Sequence, residues 1–163
     1  MAARVLESKI IPFENIAQLA LQLKSQGKKI ITTNGCFDLL HLGHISYLHE
    51  ARQMGDVLIV GINSDLSVQK LKGKSRPLNP ERIRALQLSG LESVSFVTIF
   101  NENTPETLLK LIQPHIHVKG GDYKIEDLPE RHVVESGGGK VICVSLIAGY
   151  STTGLIEKLK ASE

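Results

Sequence analysis

Two histidines, two glycines and one acidic residue lie close together in the stretch TTNGCFDLLHLGHISYL, residues 32–48. His41 and His44 are three positions apart, so at the start of a helix both imidazoles would share one face. The N-terminus of a helix favours an anion because its free backbone N–H groups and its dipole point there. Gly43 leaves the space between the rings without a side chain. The pattern predicts imidazoles that donate hydrogen bonds to a transferring phosphate.

Other interpretations of this stretch stay open on the residues alone. A His-x-x-His pair also occurs in metal sites, and a single histidine near a helix start is more often a cap or a surface residue. Asp38, in the same loop, can help to place Mg²⁺ or hold the loop by hydrogen bonds. We favour the second role, because Mg²⁺ keeps several waters and takes few protein ligands. No metal-ligating residue is therefore predicted.

The elements that must position the histidines are alternating apolar strands and amphipathic helices. Strands are predicted over 28–34, 56–63, 93–100, 115–121 and 139–146. Helices are predicted over 13–27, 42–55, 79–90, 104–113, 125–136 and 151–160. This alternation predicts an α/β fold of Rossmann-like type, a doubly wound parallel five-stranded sheet whose ligands bind beyond the carboxyl ends of the strands. The loop 34–44 would lie at that edge.

Several local signals fix the ends of these helices. Apolar residues at helical spacing stop at Gly27, which is a typical C-terminal glycine. Asn79 is expected to cap the helix 79–90, with Pro80 at its first position. Val94, Phe96 and Phe100 suit either the core or an interface between copies, and with so few aromatic residues in the chain we favour the core.

Composition limits the class of protein. The 163 residues are 42% hydrophobic, enough for a core of one domain over 1–163, with an N-terminal helical segment 1–28 packed on it. Charges of 19 Lys+Arg and 17 Asp+Glu give a net +2, which does not indicate a nucleic-acid partner. No stretch approaches the roughly 20 apolar residues of a membrane helix, and no signal peptide is apparent. We expect a cytoplasmic protein in which Cys36 and Cys143 remain thiols.

Two further segments carry groups that suit phosphate. LKGKSRP, residues 71–77, is predicted as a loop after the second strand, in which Lys72 and Arg76 close over phosphates. The alternative is a solvated basic loop. GYSTTG places three hydroxyls at the head of the last helix, where one would suffice as a cap, so an anion contact is favoured. These hydroxyls belong to Ser151, Thr152 and Thr153.

Six motifs, TNGCFDLLHLGH, GINSD, LKGKSRPLNP, NTPETL, VKGGDY and GYSTT, occur in this order. With them the chain resembles the cytidylyltransferase-like nucleotidyltransferases, whose signature is H-x-G-H, and in particular the branch that adenylylates heptose 1-phosphate. The resemblance implies transfer of AMP from ATP to D-glycero-D-manno-heptose 1-phosphate, with release of pyrophosphate, for synthesis of the lipopolysaccharide inner core. It also implies Mg²⁺, held mainly by the ATP phosphates and water, and a homo-oligomer, in the simplest case a dimer.

The resemblance further implies the residues of the site. His41, His44 and Lys72 are the expected catalytic residues. Lys119 would reach a phosphate, and Asp122 a ribose hydroxyl or the polar edge of the nucleotide. The expected nucleotide-binding residues are Asn34, Gly35, Cys36, Phe37, Asp38, Gly43, Arg76, Arg84, Lys119, Gly120, Asp122, Ser151, Thr152 and Thr153.

Alternatives to this function also follow from the sequence. For Arg84 the competing interpretation is an exposed helix charge beside Glu81. A sister branch, which transfers CMP from CTP to glycerol 3-phosphate, carries an arginine where this chain has Leu146, and this difference disfavours that branch. A non-catalytic nucleotide sensor with the same loop is the more distant alternative, since a fold does not fix a function.

Overall fold

A computed structural model describes residues 2–145, 147 and 154 of the chain. Its five strands are β1 (Ile30–Gly35), β2 (Val57–Asn63), β3 (Phe96–Phe100), β4 (Ile116–Gly120) and β5 (Lys140–Val144). They form one sheet in the order β3-β2-β1-β4-β5, and every pairing is parallel. The predicted five-stranded parallel sheet is therefore confirmed. The switch in strand order falls between β1 and β4, where ligands bind in such folds.

The helices cover both faces of the sheet. They are α1 (Ala2–Glu7), α2 (Ile16–Ser25), α3 (Leu42–Gln53), α4 (Asp65–Lys72), α5 (Glu81–Ser89), α6 (Glu106–Ile112) and α7 (Arg131–Ser136). Two 3-10 turns, Phe13–Asn15 and Ile125–Asp127, complete the described elements. The two larger cores lie between the sheet and α3 with α5, and between the sheet and α2 with α6. A smaller cluster packs α6 and α7 against β5.

Strand β2 shows how the sequence builds these two cores. All of its residues are buried, as expected for a central strand covered on both faces. Because side chains alternate along a strand, Leu58, Val60 and Ile62 enter the first core. Val57 and Ile59 enter the second. The continuous apolar run VLIVGI is thus the signature of a doubly wound sheet.

The stretch 71–77, predicted as a loop, begins inside a helix, and this prediction is wrong for its first two residues. Helix α4 ends at Lys72, and Gly73 follows with a φ of 96°. At the other end, the Ser64 hydroxyl accepts a hydrogen bond from the Ser67 backbone N–H at 3.3 Å. An N-terminal serine cap of this kind satisfies a backbone N–H at the start of the helix and stabilises it.

Two other helix boundaries differ from the prediction. Pro80, not Asn79, is the N-cap residue of α5, and the Asn79 amide instead donates to the Asp38 backbone oxygen at 2.8 Å. The segment 125–136 is not one helix: the turn Ile125–Asp127 is separated from α7 by residues that include Pro129. Proline has no N–H to continue a helix, which accounts for the break.

The N-terminal part of the chain packs on the sheet. Residues 9–11 run beside β3, where the Ile11 N–H donates to the Val97 oxygen at 2.8 Å and the Val97 N–H donates to the Lys9 oxygen at 2.9 Å. Val94 and Phe100 are buried, as predicted, and Phe96 is partly buried against the second core. Within the described residues, no helix has the length and apolarity needed to cross a membrane.

Candidate active site

A cleft of ≈ 360 Å³ opens where β1, β2 and β4 end. Nine of the predicted site residues line it: Asn34, Gly35, Cys36, Phe37, Asp38, His44, Lys72, Lys119 and Gly120. Five lining residues were not predicted: Tyr47, Asn63, Leu71, Asn103 and Tyr123. The carboxyl ends of parallel strands thus bring together groups that are far apart in the sequence.

His41 and His44 form a stacked pair at the start of α3. Their ring centroids are 3.8 Å apart with an interplanar angle of 25°. His41 is the N-cap residue of the helix, His44 is its third residue, and Gly43 is buried between them. Both Nδ1 atoms are buried without a hydrogen bond of normal geometry in the described part of the chain, although the Leu39 backbone interacts with the His44 imidazole. Two imidazoles therefore lie together at a helix N-terminus, which favours an anion.

The Phe37 ring packs against the His44 ring of this pair. The Phe37 backbone has a φ of 47°, and its buried ring lies 5.1 Å from the His44 ring and 6.3 Å from the Tyr47 ring. A Cβ at Gly35 would lie only 3.0 Å from the Phe37 ring. Glycine at this position thus lets the loop fold tightly enough to place the aromatic ring under His44.

Asp38 holds the loop, which is the role that we favoured from the sequence. Its side chain is almost fully buried, and Oδ2 lies 2.6 Å from both Nε and Nη2 of Arg76. It also accepts hydrogen bonds from the backbone N–H groups of Leu78, at 2.8 Å, and Asn79, at 2.9 Å. Burial alone would raise the pKa of Asp38, but these partners outweigh it and lower that pKa. Both carboxylate oxygens are thus used by the protein.

The ion pair with Asp38 gives the Arg76 side chain a structural contact within the protein. The sequence predicts that Arg76 closes over phosphates, yet its guanidinium pairs with Asp38 and does not line the cleft. Arg76 instead ties the segment after α4 to the loop after β1. Lys72 remains exposed at the end of α4 and lines the cleft, as its predicted role requires.

Arg84 is fully buried, so its interpretation as an exposed helix charge is wrong. The guanidinium donates to the backbone oxygens of Cys36 (2.6 Å), Asn63 (2.8 Å) and Asn79 (3.0 Å) and to the Asp65 carboxylate (2.7 Å). These acceptors come from the ends of β1 and β2 and from the starts of α4 and α5. Arg84 therefore fastens the loops around the cleft, and it does not itself line the cleft.

The segment after β4 contributes to the opposite wall. The Lys119 ammonium lies 3.1 Å from Asn34 Oδ1 and 5.7 Å from the centroid of the Tyr123 ring. Gly121 has a φ of 131°, which glycine adopts freely. Asp122 is exposed and does not line the cleft, so its predicted contact with ribose stays a prediction. Ser151, Thr152, Thr153 and Leu146 lie outside the described residues.

Comparison with known proteins decides the family. Residues 32–155 match the cytidylyltransferase-like family. The chain belongs to this family. The match confirms the family and the fold that the motifs predict, and it includes the stacked histidines and the cleft.

Relatives of this cytidylyltransferase-like chain include the bifunctional protein HldE of Aliarcobacter butzleri (strain RM4018), 50% identical over 96% of the chain and 32% of the relative. Bifunctional protein HldE of Geotalea uraniireducens (strain Rf4) is 49% identical over 94% of the chain and 31% of the relative. The chain spans about a third of the length of these relatives. A solved structure, the lipopolysaccharide core biosynthesis protein from Thermoplasma volcanium GSS1, is 30% identical with a TM-score of 0.62. That match covers 74% of this chain and 98% of the solved one.

The described residues provide no separate metal centre. No group of three or more His, Cys, Asp or Glu side chains within the described ranges could hold a metal ion. Both Asp38 oxygens are occupied by protein donors. Both cysteines are free, as predicted.

The electrostatics of the histidine pair lead to a first prediction. Burial, followed by the positive charge of His41 and Lys72, lowers the pKa of His44 to about 4, with a backbone contact to Leu39 acting in the opposite direction. A bound triphosphate would supply the missing negative charge. We therefore expect the pKa of His44 to rise by about one unit or more on addition of MgATP. An NMR titration of the imidazole measures this shift, and an unchanged pKa at saturating MgATP would contradict the contact.

Proposed function

We propose that the chain transfers AMP from ATP to D-glycero-D-manno-heptose 1-phosphate, giving ADP-heptose and pyrophosphate for the lipopolysaccharide inner core. The observation that carries this proposal is the stacked His41–His44 pair at the head of a helix, with His44 and Lys72 both lining the cleft. The similarity to HldE proteins and to a lipopolysaccharide core biosynthesis protein supports the choice of pathway. The six sequence motifs support the choice of substrates.

The proposed reaction is an in-line displacement at the α-phosphorus of ATP. An oxygen of the sugar 1-phosphate forms the new bond to phosphorus while the bond to the β-phosphate oxygen breaks, and pyrophosphate leaves with that electron pair. A phosphate monoester is already a competent nucleophile, so the reaction needs no general base. Catalysis then consists of aligning two anions and reducing their repulsion.

His44 and Lys72, which line the cleft, and His41, which stacks on His44 but does not line it, suit this task. His44, neutral near pH 7 because of its low pKa, and His41 donate N–H groups to the phosphate that gains charge in the transition state. Lys72 neutralises the β- and γ-phosphates. For Arg76, the pairing with Asp38 supports a role in holding the loop rather than in contacting phosphate.

The remaining predicted residues complete the proposal. Asp122 binds a ribose hydroxyl or the polar edge of the nucleotide, and Ser151, Thr152 and Thr153 fix the triphosphate from the far side. Arg84 acts on the nucleotide through the loops that it fastens. Mg²⁺ enters as part of the MgATP substrate, held by phosphates and water, because the Asp38 oxygens are already used.

We also propose that the chain works in the cytoplasm as a homodimer. Residues 1–163 would act as one nucleotidyltransferase domain, on which the N-terminal segment 1–28 packs. Its partners would be the small molecules ATP and heptose 1-phosphate, with no nucleic acid or membrane.

Pyrophosphate release tests the proposed reaction directly. ATP and CTP are crossed with heptose 1-phosphate and glycerol 3-phosphate in the presence of Mg²⁺, and release is expected only with ATP and the heptose. Release with CTP and glycerol 3-phosphate would move the protein to the sister branch. Binding of MgATP without release from any combination would contradict the reaction and favour a nucleotide sensor.

A further inference from the structure

A buried polar network lies behind the Lys119 wall of the cleft. His117 and Lys119 are two positions apart on β4, so their side chains lie on the same face of the sheet. On the neighbouring strand, Thr32 pairs in register with His117, and its hydroxyl lies 2.9 Å from the imidazole Nδ1. Asn34, two residues further along, contacts Lys119. The two strands thus present two stacked polar pairs.

The Glu130 carboxylate lies next to one member of each pair, His117 and Lys119. Glu130 is the N-cap residue of α7, and its side chain is only 2% exposed. Its Oε1 lies 3.0 Å from the Lys119 ammonium and 3.7 Å from Nε2 of His117. A buried carboxylate at this position needs a compensating charge, because burial without one is costly.

The compensating charge comes from the lysine. Burial is the main cause of the lowered pKa of His117, so the imidazole is neutral near pH 7. With Nε2 facing the carboxylate, the favoured tautomer has its proton on Nε2, and Nδ1 accepts from the Thr32 hydroxyl. Burial would raise the pKa of Glu130, yet His117 and Lys119 outweigh it and lower that pKa to about 2. The carboxylate is therefore ionised, and Lys119 is its charged partner.

We propose that Glu130 is a positioning residue, which holds the Lys119 ammonium in the cleft so that it can bind a phosphate group of a substrate. An ammonium has three N–H donors. Asn34 Oδ1 accepts one of them at 3.1 Å, and Glu130 Oε1 lies 3.0 Å from the ammonium as its ion-pair partner. Lys119 also lines the cleft, where a remaining N–H can meet a ligand. The phosphate belongs either to ATP or to the sugar phosphate, and the inference rests on the proposed function.

Fixing a lysine in this way has a clear advantage. A free lysine side chain loses much rotational freedom when it binds a ligand. Asn34 and Glu130 already hold the Lys119 ammonium, at about 3 Å, before the substrate binds. Less rotational freedom is then lost on binding, so more of the contact energy appears as affinity. Glu130 would thus lower the KM for the substrate whose phosphate Lys119 contacts, with little effect on kcat.

The test compares Glu130→Gln with Glu135→Gln. Both replace a carboxylate by its amide on the same short helix, but Glu135 is exposed and pairs only with Arg131 at 2.8 Å among the described contacts. Glu130→Gln is expected to raise one KM about tenfold, that of ATP or that of heptose 1-phosphate, because the buried ion pair that holds the Lys119 ammonium is lost. Glu135→Gln should leave both KM values within about twofold of the original. The KM that rises identifies the phosphate.

A double-mutant cycle separates positioning from stability. If Glu130 acts through Lys119, Lys119→Gln combined with Glu130→Gln should bind and turn over no worse than Lys119→Gln alone. The proposal would be overturned if the fold-changes in KM of the two single variants multiply in the double variant. It would also be overturned if Glu130→Gln lowers the melting temperature and leaves both KM values unchanged.

Calorimetry keeps this test independent of the reaction. The dissociation constants of MgATP and of heptose 1-phosphate are measured separately for the unmodified protein, both single variants and the double variant. Ligand binding without pyrophosphate release would refute the proposed reaction alone. Non-additive dissociation constants would still support the coupling of Lys119 to Glu130, and additive ones would refute it.

Discussion

Replacing His44 with alanine is expected to reduce kcat for pyrophosphate release by about 10²–10³-fold, because loss of one preorganised donor to a developing charge costs roughly 3 kcal/mol. The imidazole is stacked on His41, lies 5.1 Å from the Phe37 ring and lines the cleft. Since the side chain is only partly buried, the fold should survive its removal. Steady-state kinetics with MgATP and heptose 1-phosphate measure the effect, and thermal unfolding checks the fold.

The matched control for this variant lies on the same helix. His49 is exposed on α3 and does not line the cleft, so His49→Ala should retain near-normal turnover. Near-normal turnover of His44→Ala would refute the assigned role of the pair. Equal losses in both variants would indicate that α3 responds to any substitution of this type.

The second large effect concerns stability. Arg84→Met is expected to lower the free energy of unfolding by about 3–5 kcal/mol, because it removes the partner of an ion pair and leaves buried carbonyl groups without a donor. Three backbone oxygens and the Asp65 carboxylate depend on this guanidinium. Urea denaturation, followed by circular dichroism, measures the change.

Arg82 provides the comparison on the same helix. Its side chain is 74% exposed and pairs with Glu7 at 2.6 Å on the surface. Exposed ion pairs contribute little, so Arg82→Met should change the free energy of unfolding by about 1 kcal/mol or less. Similar losses in the two variants would contradict the fastening role of Arg84.

The sheet and the histidine pair were predictable because their signals are local. The apolar run of β2 is longest where both faces are covered, and His41 and His44 share a face through helical spacing alone. Helix α4 was not predicted. It is only eight residues long, and Ser67 and Val68 are buried on it, whereas Leu66 and Leu71 are exposed. The capping Ser64 and the acidic Asp65 in its first turn are local signs of its start.

The burial of Arg84 and of Glu130 could not be predicted from the local sequence, for a different reason. Helical periodicity identifies the charged residues of a helix as exposed, because most are. The acceptors of Arg84 come from segments that are up to 48 residues away, and the partners of Glu130 lie on a strand that precedes it. Burial of a charge depends on such partners, and only the folded chain brings them together.

The pairing of residues 9–11 with β3 also limits how copies of the chain can associate. An outer strand of a sheet offers unpaired backbone groups to which an extended segment of another molecule can add, a common start of misassembly. Here the N–H and the oxygen of Val97 are already bonded to the chain's own N-terminal segment. A strand of another molecule therefore cannot pair with the backbone at Val97, in the middle of this sheet edge. Any neighbour that docks there must be recognised by side chains.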